Sequence, residues 1–245
     1  MDDDIIFGRN AVIELLESDK TVNKILVVKG ETHGSISKIL AKAKEKRIVI
    51  SEVSRMKLDE MTNNANHQGV VAYTTSYKYS DVEDILEFAA SKNEKPFVII
   101  LDGIEDPHNL GAIIRSAECM GAHGIIIPKR RAVAVTSTVI KVSAGATEYM
   151  KVARVNNIND TILKLQEAGL WIIGMDAKGK DSIKDIDLTG SIGIVIGSEG
   201  EGISNLTMKR CDMLSKIDMK GKITSLNASV SAGMVMYEVL RQRMK

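Results

Sequence analysis

Apolar positions along the chain form two alternating series separated by an acidic stretch. In the first, Ala11, Val12, Leu15 and Leu16 recur at helical spacing, and Lys24-Ile25-Leu26-Val27-Val28-Lys29 is a short apolar run closed by Gly30, the pattern of a buried strand. Ile36, Ile39, Leu40 and Ala43 predict a second helix, and Arg47-Ile48-Val49-Ile50 a second strand. Ser54 can cap a third helix through Met61, and Gly69-Val70-Val71-Ala72-Tyr73 reads as a third strand. Strands separated by helices make a small α/β unit. From Pro96 the second series predicts strands over 97–101, 124–127, 170–175, 191–196 and 213–217, with helices over 110–120, 135–142, 158–168, 203–210 and 226–243. These strands are apolar with little alternation, as in a parallel sheet covered by helices on both faces.

Between the series, Asp81, Glu83, Asp84, Glu87 and Glu94 oppose Lys92 and Lys95 around an amphipathic set, Val82, Ile85 and Leu86. That stretch reads as a linker with a short helix. The expected organisation is a small α/β domain over 1–76, a linker over 77–95 and a larger α/β domain over 96–245.

Composition narrows the setting. Either domain can bury a core without covalent help, and Cys119 and Cys211 lack the spacing of a disulfide framework or a zinc site, so no metal is expected. The acidic start Met1-Asp2-Asp3-Asp4 is unlike a signal peptide, and no apolar run approaches the ~18 residues of a membrane span. A soluble, cytoplasmic protein with no membrane partner is expected.

The net charge of +1 at first argues against a nucleic-acid partner. It is unevenly spread: residues 80–95 carry two positive and five negative charges, and residues 96–245 nineteen and sixteen. One basic cluster is Lys38, Lys42, Lys44, Lys46, Arg47, Arg55 and Lys57; the other is Lys129, Arg130, Arg131, Lys141, Lys151 and Arg154. Either can be a solvated face. The second follows the strand end Ile127-Pro128, where α/β folds bind ligands, which favours a phosphate-contacting role.

Three segments carry the candidate chemistry. In Asp106-Pro107-His108-Asn109-Leu110-Gly111 a strand gives way to a helix, and Asn109 alone reads as an N-cap. Further along that helix Arg115 points well away from the face set by Leu110, Ile113, Ile114 and Ala117, as a surface arginine or one aimed at an oxyanion. In Gly197-Ser198-Glu199-Gly200-Glu201-Gly202, glycines after a buried strand allow close backbone approach to a ligand. The segment is neither the dinucleotide fingerprint nor a P-loop; it is a tight turn or a site. In Ser225-Leu226-Asn227-Ala228-Ser229-Val230, Ser225 or Asn227 can cap the last helix, whose first residues are small on every face.

Together, in this order and spacing, the three segments resemble motifs one, two and three of the SpoU/TrmH family of RNA ribose methyltransferases, within the SPOUT superfamily. Pro128-Lys129, Ser143-Ala144-Gly145-Ala146 and Glu238-Val239-Leu240-Arg241-Gln242-Arg243 are similar to the branch that methylates a guanosine ribose in large-subunit ribosomal RNA. Phe7-Gly8-Arg9-Asn10-Ala11-Val12 and Gln68-Gly69-Val70-Val71-Ala72 resemble the small RNA-binding domain, related to ribosomal proteins, of that branch.

The resemblance implies a catalytic domain with a deep trefoil knot, an exception to the unknotted rule, an S-adenosylmethionine site in that knot, and a homodimer. It implies that the backbone of Gly197, Ile217 and Leu226 holds the cofactor, and that Arg115, Asn109, Glu199, Ser225 and Asn227 form the catalytic set. Lys129, Arg130, Arg131 and Arg9 are the expected RNA contacts, and 23S ribosomal RNA the expected substrate. Transfer RNA is the alternative substrate, and a non-catalytic RNA-binding module the alternative role. A dinucleotide-dependent oxidoreductase lacks its glycine fingerprint after the first strand.

Overall fold

A computed structural model describes residues 5–222 and 225–244; Met1–Asp4, Ile223–Thr224 just before the third segment and Lys245 lie outside the described residues. The chain divides into two compact units, Met1–Lys78 and Tyr79–Lys245.

The first unit runs β1 (Ile5–Phe7), α1 (Arg9–Glu17), β2 (Thr21–Val28), α2 (Ser35–Glu45), β3 (Val49–Val53), α3 (Arg55–Met61) and β4 (Val70–Thr75). Its sheet has the order β1-β4-β2-β3, with β4 antiparallel to both β1 and β2 and β3 parallel to β2. Helices α1 and α2 set Val12, Leu16, Ile36 and Ile39 on Ile25 and Val70, while Leu58 of α3 joins Leu26 and Val71 in a separate cluster. β1 escapes the hydrophobic reading because three residues are too few to show a period.

One polar knot of this unit concerns Arg9. Its Nη2 donates to Glu31 at 2.9 Å and its Nε to the Gln68 carbonyl at 3.0 Å, while Arg55 donates to the other Glu31 oxygen at 2.7 Å. Beneath them Gly69 has φ +82°, and a β-carbon there would stand 2.3 Å from a Glu31 oxygen. The segments around Arg9 and Gly69 thus pack on each other through Glu31.

The second unit runs α4 (Val82–Ser91), β5 (Phe97–Asp102), α5 (Pro107–Cys119), β6 (Gly124–Pro128), α6 (Ser137–Val142), β7 (Val152–Val155), α7 (Ile158–Glu167), β8 (Trp171–Met175), β9 (Asp181–Ser182), β10 (Ile192–Gly197), α8 (Asn205–Arg210), β11 (Met213–Lys216) and α9 (Ala228–Arg243). Its sheet is parallel throughout, in the order β7-β6-β5-β10-β8-β11-β9. Central strands are buried along nearly their whole length, which is why they read as unbroken apolar runs. On one face Val98, Ile100, Ile126, Ile172 and Val195 pack against Ile158, Ile162 and Leu165 of α7. On the other, α5 packs on α6 and α9. The register sets Asp102 of β5 beside Gly197 of β10, so the carboxyl ends of the central strands finish together.

Two features differ from the hydrophobic reading. Helix α4 carries a capping box between Asp81 and Asp84 and places a fully buried Ile85 in the same core as Ile100 and Ile126, so the acidic stretch belongs to the second unit's packing. β7, too short to read, runs through the second basic cluster and takes Arg154 out of it. Arg154 lies over the Tyr79 ring, 5.6 Å from its centroid, and burial lowers its pKa. Lys151 lies over Phe88 at 5.5 Å. A single phosphate-facing patch is the expectation for this cluster; the fold disperses it. Among the described residues no helix is long and apolar enough to cross a membrane.

Candidate active site

Two helix starts build the site. At α5 the Asp106 carboxylate accepts from the His108 amide at 2.9 Å, and Pro107 occupies the first helical position, where its missing N–H costs nothing. The cap expected at Asn109 is therefore Asp106. Asn109 sits inside the first turn, 7% exposed, with its amide free of capping duty. At α9 the cap is Asn227, whose Oδ1 accepts from the amides of Ser229 at 3.0 Å and Val230 at 3.2 Å.

Both asparagines reach one carboxylate oxygen. Asn109 Nδ2 donates to Glu199 Oε1 at 2.9 Å, Asn227 Nδ2 donates to the same atom, and the Ala228 amide approaches it at 3.5 Å. Asn227 Nδ2 also donates to Asn109 Oδ1 at 3.0 Å. Glu199 Oε2 makes no hydrogen bond among the described residues, so the carboxylate is pinned by one oxygen and presents the other.

Glu199 stands on a turn closed by reciprocal bonds, Ser198 N to Gly202 O at 3.1 Å and Gly202 N to Ser198 O at 3.0 Å. Gly197 leads into it, and a β-carbon at that position would lie 2.0 Å from the Gly202 carbonyl carbon, so only glycine lets the turn fold back on its strand.

Residues 198–202 form a wall shared by two cavities. The first, about 340 Å³, is lined by Gly197, Ile217, Ser225 and Leu226, with Met175 and Asp176 from the end of β8. The second, about 720 Å³, is lined by Asn109, Arg130, Arg131, Glu105 and the 156–159 segment after β7. Lys184 donates to Asp218 at 2.6 Å, anchoring the residue after Ile217; this bond holds the Asp218 carboxyl below the usual carboxylate range.

The structure thus brings Asn109, Glu199 and Asn227 into direct contact, Gly197, Ile217, Ser225 and Leu226 around the first cavity, and Arg130 and Arg131 around the second. Three other candidates stand apart. Arg115 is exposed on α5, lines neither cavity, and makes no hydrogen bond or ion pair among the described residues; it does not touch Asn109. Lys129 lies outside both walls, its amide bonded to the Val155 carbonyl at 2.8 Å. Arg9 belongs to the first unit, its guanidinium engaged by Glu31 and Gln68.

Sequence reasoning misses Asp176 and Lys178 in the first cavity and Asn156–Asn159 in the second. The first pair follows the carboxyl end of β8, a readable signal. The asparagines follow β7, and an unrecognised strand has no recognisable end.

The two cavities share one wall, and a carboxylate fixed by two asparagines stands in it. Comparisons with known proteins give that site a lineage. Residues 96–237 match the SpoU rRNA methylase family, and residues 5–80 match the RNA 2′-O ribose methyltransferase substrate-binding family. The Bacillus subtilis protein YacO, named as a TrmH-family tRNA/rRNA methyltransferase, is 47% identical over 240 residues, covering 98% of this chain and 96% of its own. A Staphylococcus haemolyticus protein named the same way is 45% identical over 243 residues, covering 99% and 97%. Among solved structures, the SpoU methyltransferase AviRb from Streptomyces viridochromogenes in complex with AdoMet is 27% identical with a TM-score of 0.62, covering 98% of this chain and 90% of its own. The chain belongs to the SpoU/TrmH family of RNA methyltransferases.

Proposed function

We propose that this protein transfers a methyl group from S-adenosylmethionine to the ribose 2′-hydroxyl of a guanosine in 23S ribosomal RNA. The observation that carries the reading is the convergence of Asn109, Glu199 and Asn227 on one atom in the wall between two cavities.

The first cavity fits the cofactor. Gly197, Gly200 and Gly202 offer main chain, Ile217 and Leu226 apolar surface, and Asp176 a carboxylate. The backbone of Gly197, Ile217 and Leu226 holds the adenosine portion. When bound, the cofactor supplies an electrophilic methyl carbon on a sulfonium, so the chain's task is positioning, exclusion of water and removal of one proton.

Glu199, held by Oε1, turns Oε2 to the incoming ribose hydroxyl and orients it. Asn109 and Asn227 keep that carboxylate in one rotamer, and Ser225 borders the junction of cofactor and substrate. Arg115 is a poor base because its guanidinium stays protonated. Because it lines neither cavity of its own chain, it grips the phosphate beside the target ribose in the site of a second copy, and that phosphate takes up the hydroxyl proton.

The active unit is a homodimer with the family's trefoil knot. Helices α5 and α9 pack together, with Arg115 exposed on one and Val230, Met234 and Tyr237 exposed at i, i+4 and i+7 on the other. A second copy covering that apolar stripe comes close to Arg115. A transfer RNA substrate is the second reading, because YacO is named for both RNA classes.

Transfer of tritiated methyl from S-adenosylmethionine to unmodified transcripts of 23S ribosomal RNA and of transfer RNA, followed by mapping of ribose methylation, tests the proposal. One guanosine of the ribosomal transcript is expected to be labelled. Label only in transfer RNA selects the second reading, and cofactor binding with no label in either RNA refutes both.

A further inference from the structure

The second cavity has a composition that a phosphate-binding groove would not have. Five carboxylates and two guanidiniums line it, so a phosphate drawn to its centre meets net repulsion. Glu105 and Glu201 are exposed there, and their carboxylates make no hydrogen bond among the described residues. Asn159, in the first turn of α7, lines the same cavity and has a buried Oδ1 without a partner among the described residues. A buried acceptor left without a donor is unfavourable, so a ligand that brings an N–H to it is favoured. Arg130 and Arg131, from the loop after β6, are exposed and supply the cavity's only guanidiniums among the described residues.

A surplus of carboxylate acceptors suits a ligand rich in N–H donors. Among nucleobases guanine offers most on one edge, N1–H together with the N2 amino group. At about 720 Å³ the cavity lies within the ~300–1,000 Å³ of small-molecule sites.

We propose that the second cavity receives the target base itself, reading the donor edge of guanine through Glu105, Glu201 and Asn159 while Arg130 and Arg131 hold the flanking phosphates. The proposal rests on the methyl-transfer reading above and adds to it the residues that choose the nucleotide. A flipped or unstacked base read on its Watson–Crick edge is the usual route to sequence choice in RNA. The cavity places such a base on the far side of the glycine turn from the cofactor, with Glu199 between them at the level of the ribose.

The test uses the whole chain with unmodified transcripts. Mapping is expected to find guanosine at the methylated position; uridine, cytidine or adenosine there overturns the base pocket and leaves methyl transfer standing. Transfer to no RNA by protein that still binds S-adenosylmethionine overturns the methyl-transfer reading and the pocket with it.

A transcript with inosine at the mapped position keeps N1–H but lacks the amino group. Its kcat/KM should fall at least about tenfold, the size of loss expected when a built hydrogen-bonding site goes unmet; a change under about twofold overturns the proposal. Glu105→Gln and Asn159→Ala should each lower kcat/KM on guanosine by about tenfold and shrink the inosine penalty to about threefold or less, with cofactor affinity unchanged. Full activity in both variants, or lost cofactor affinity in both, assigns these side chains elsewhere and overturns it.

Discussion

Asn227 and Asn109 are joined by an amide–amide hydrogen bond of 3.0 Å across 118 positions of sequence, and each also donates to the same oxygen of Glu199. Asn227 therefore does two jobs, capping α9 with its oxygen and fixing the site with its nitrogen. Asn227→Ala should cost about 1 kcal/mol for the lost cap, a melting shift of a few degrees, and should lower methyl transfer by a hundredfold or more. Asn227→Asp separates the jobs. Aspartate caps as well as asparagine, so most stability should return, but a second carboxylate beside Glu199 should leave transfer as low as in the alanine variant. Thermal unfolding and tritium transfer on both variants check this.

Gly197 packs against the main chain of Gly202 and Ile203. Because an added β-carbon would meet Gly202 at 2.0 Å, Gly197→Ala should displace the 198–202 turn and with it one wall of each cavity. Calorimetric titration with S-adenosylmethionine should show affinity lower by at least about tenfold. Unchanged affinity would place the cofactor away from this turn.

Arg115 presents the opposite case. It is exposed and makes no bond among the described residues, so Arg115→Ala should leave stability within about 0.5 kcal/mol. Methyl transfer should be abolished with cofactor affinity nearly intact. If cofactor affinity falls instead, Arg115 has a structural role.

The pH dependence of stability should carry the mark of His123. Its ring is 1% exposed, Nδ1 accepts from the Phe97 amide at 3.0 Å, and Nε2 therefore holds the proton, donated to Glu94 at 3.0 Å. Burial lowers the His123 pKa below the ordinary 6.5, with the Glu94 bond opposing. Below about pH 6.5 the unfolded chain takes up a proton that the folded chain refuses, so stability falls with pH, by up to ~1.4 kcal/mol per unit, until the folded value is passed. Above about pH 7.5 this contribution is flat. His123→Asn keeps an acceptor for Phe97 and should flatten the slope in urea unfolding between pH 7.5 and 5.

Long apolar runs make the parallel sheet legible from the order of residues alone, because a strand buried on both faces has no polar side to blur it. The site's three segments can be picked out in the sequence, since Asn109, Glu199 and Asn227 each sit in a run rich in glycine or small residues. What stays hidden is local. The α5 cap falls to Asp106 rather than Asn109, because Pro107 pre-sets the turn. Short β7 offers no period to read, so Arg154 passes for a surface charge and the asparagines after it give no signal. The partners of Arg9 depend on Glu31 and Gln68 meeting in space, which linear spacing does not encode.

The meeting of three segments on Glu199 Oε1 also sets an order of events in the life of the molecule. Asn227 is the last of the site's three polar members to be synthesised, long after the helix that carries Asn109. Domains form as the chain emerges, yet Glu199 stays short of two of its donors until α9 docks. Competence thereby reports completion, and a nascent or clipped chain that ends before α9 can hold much of the sheet while lacking the atom that closes the site.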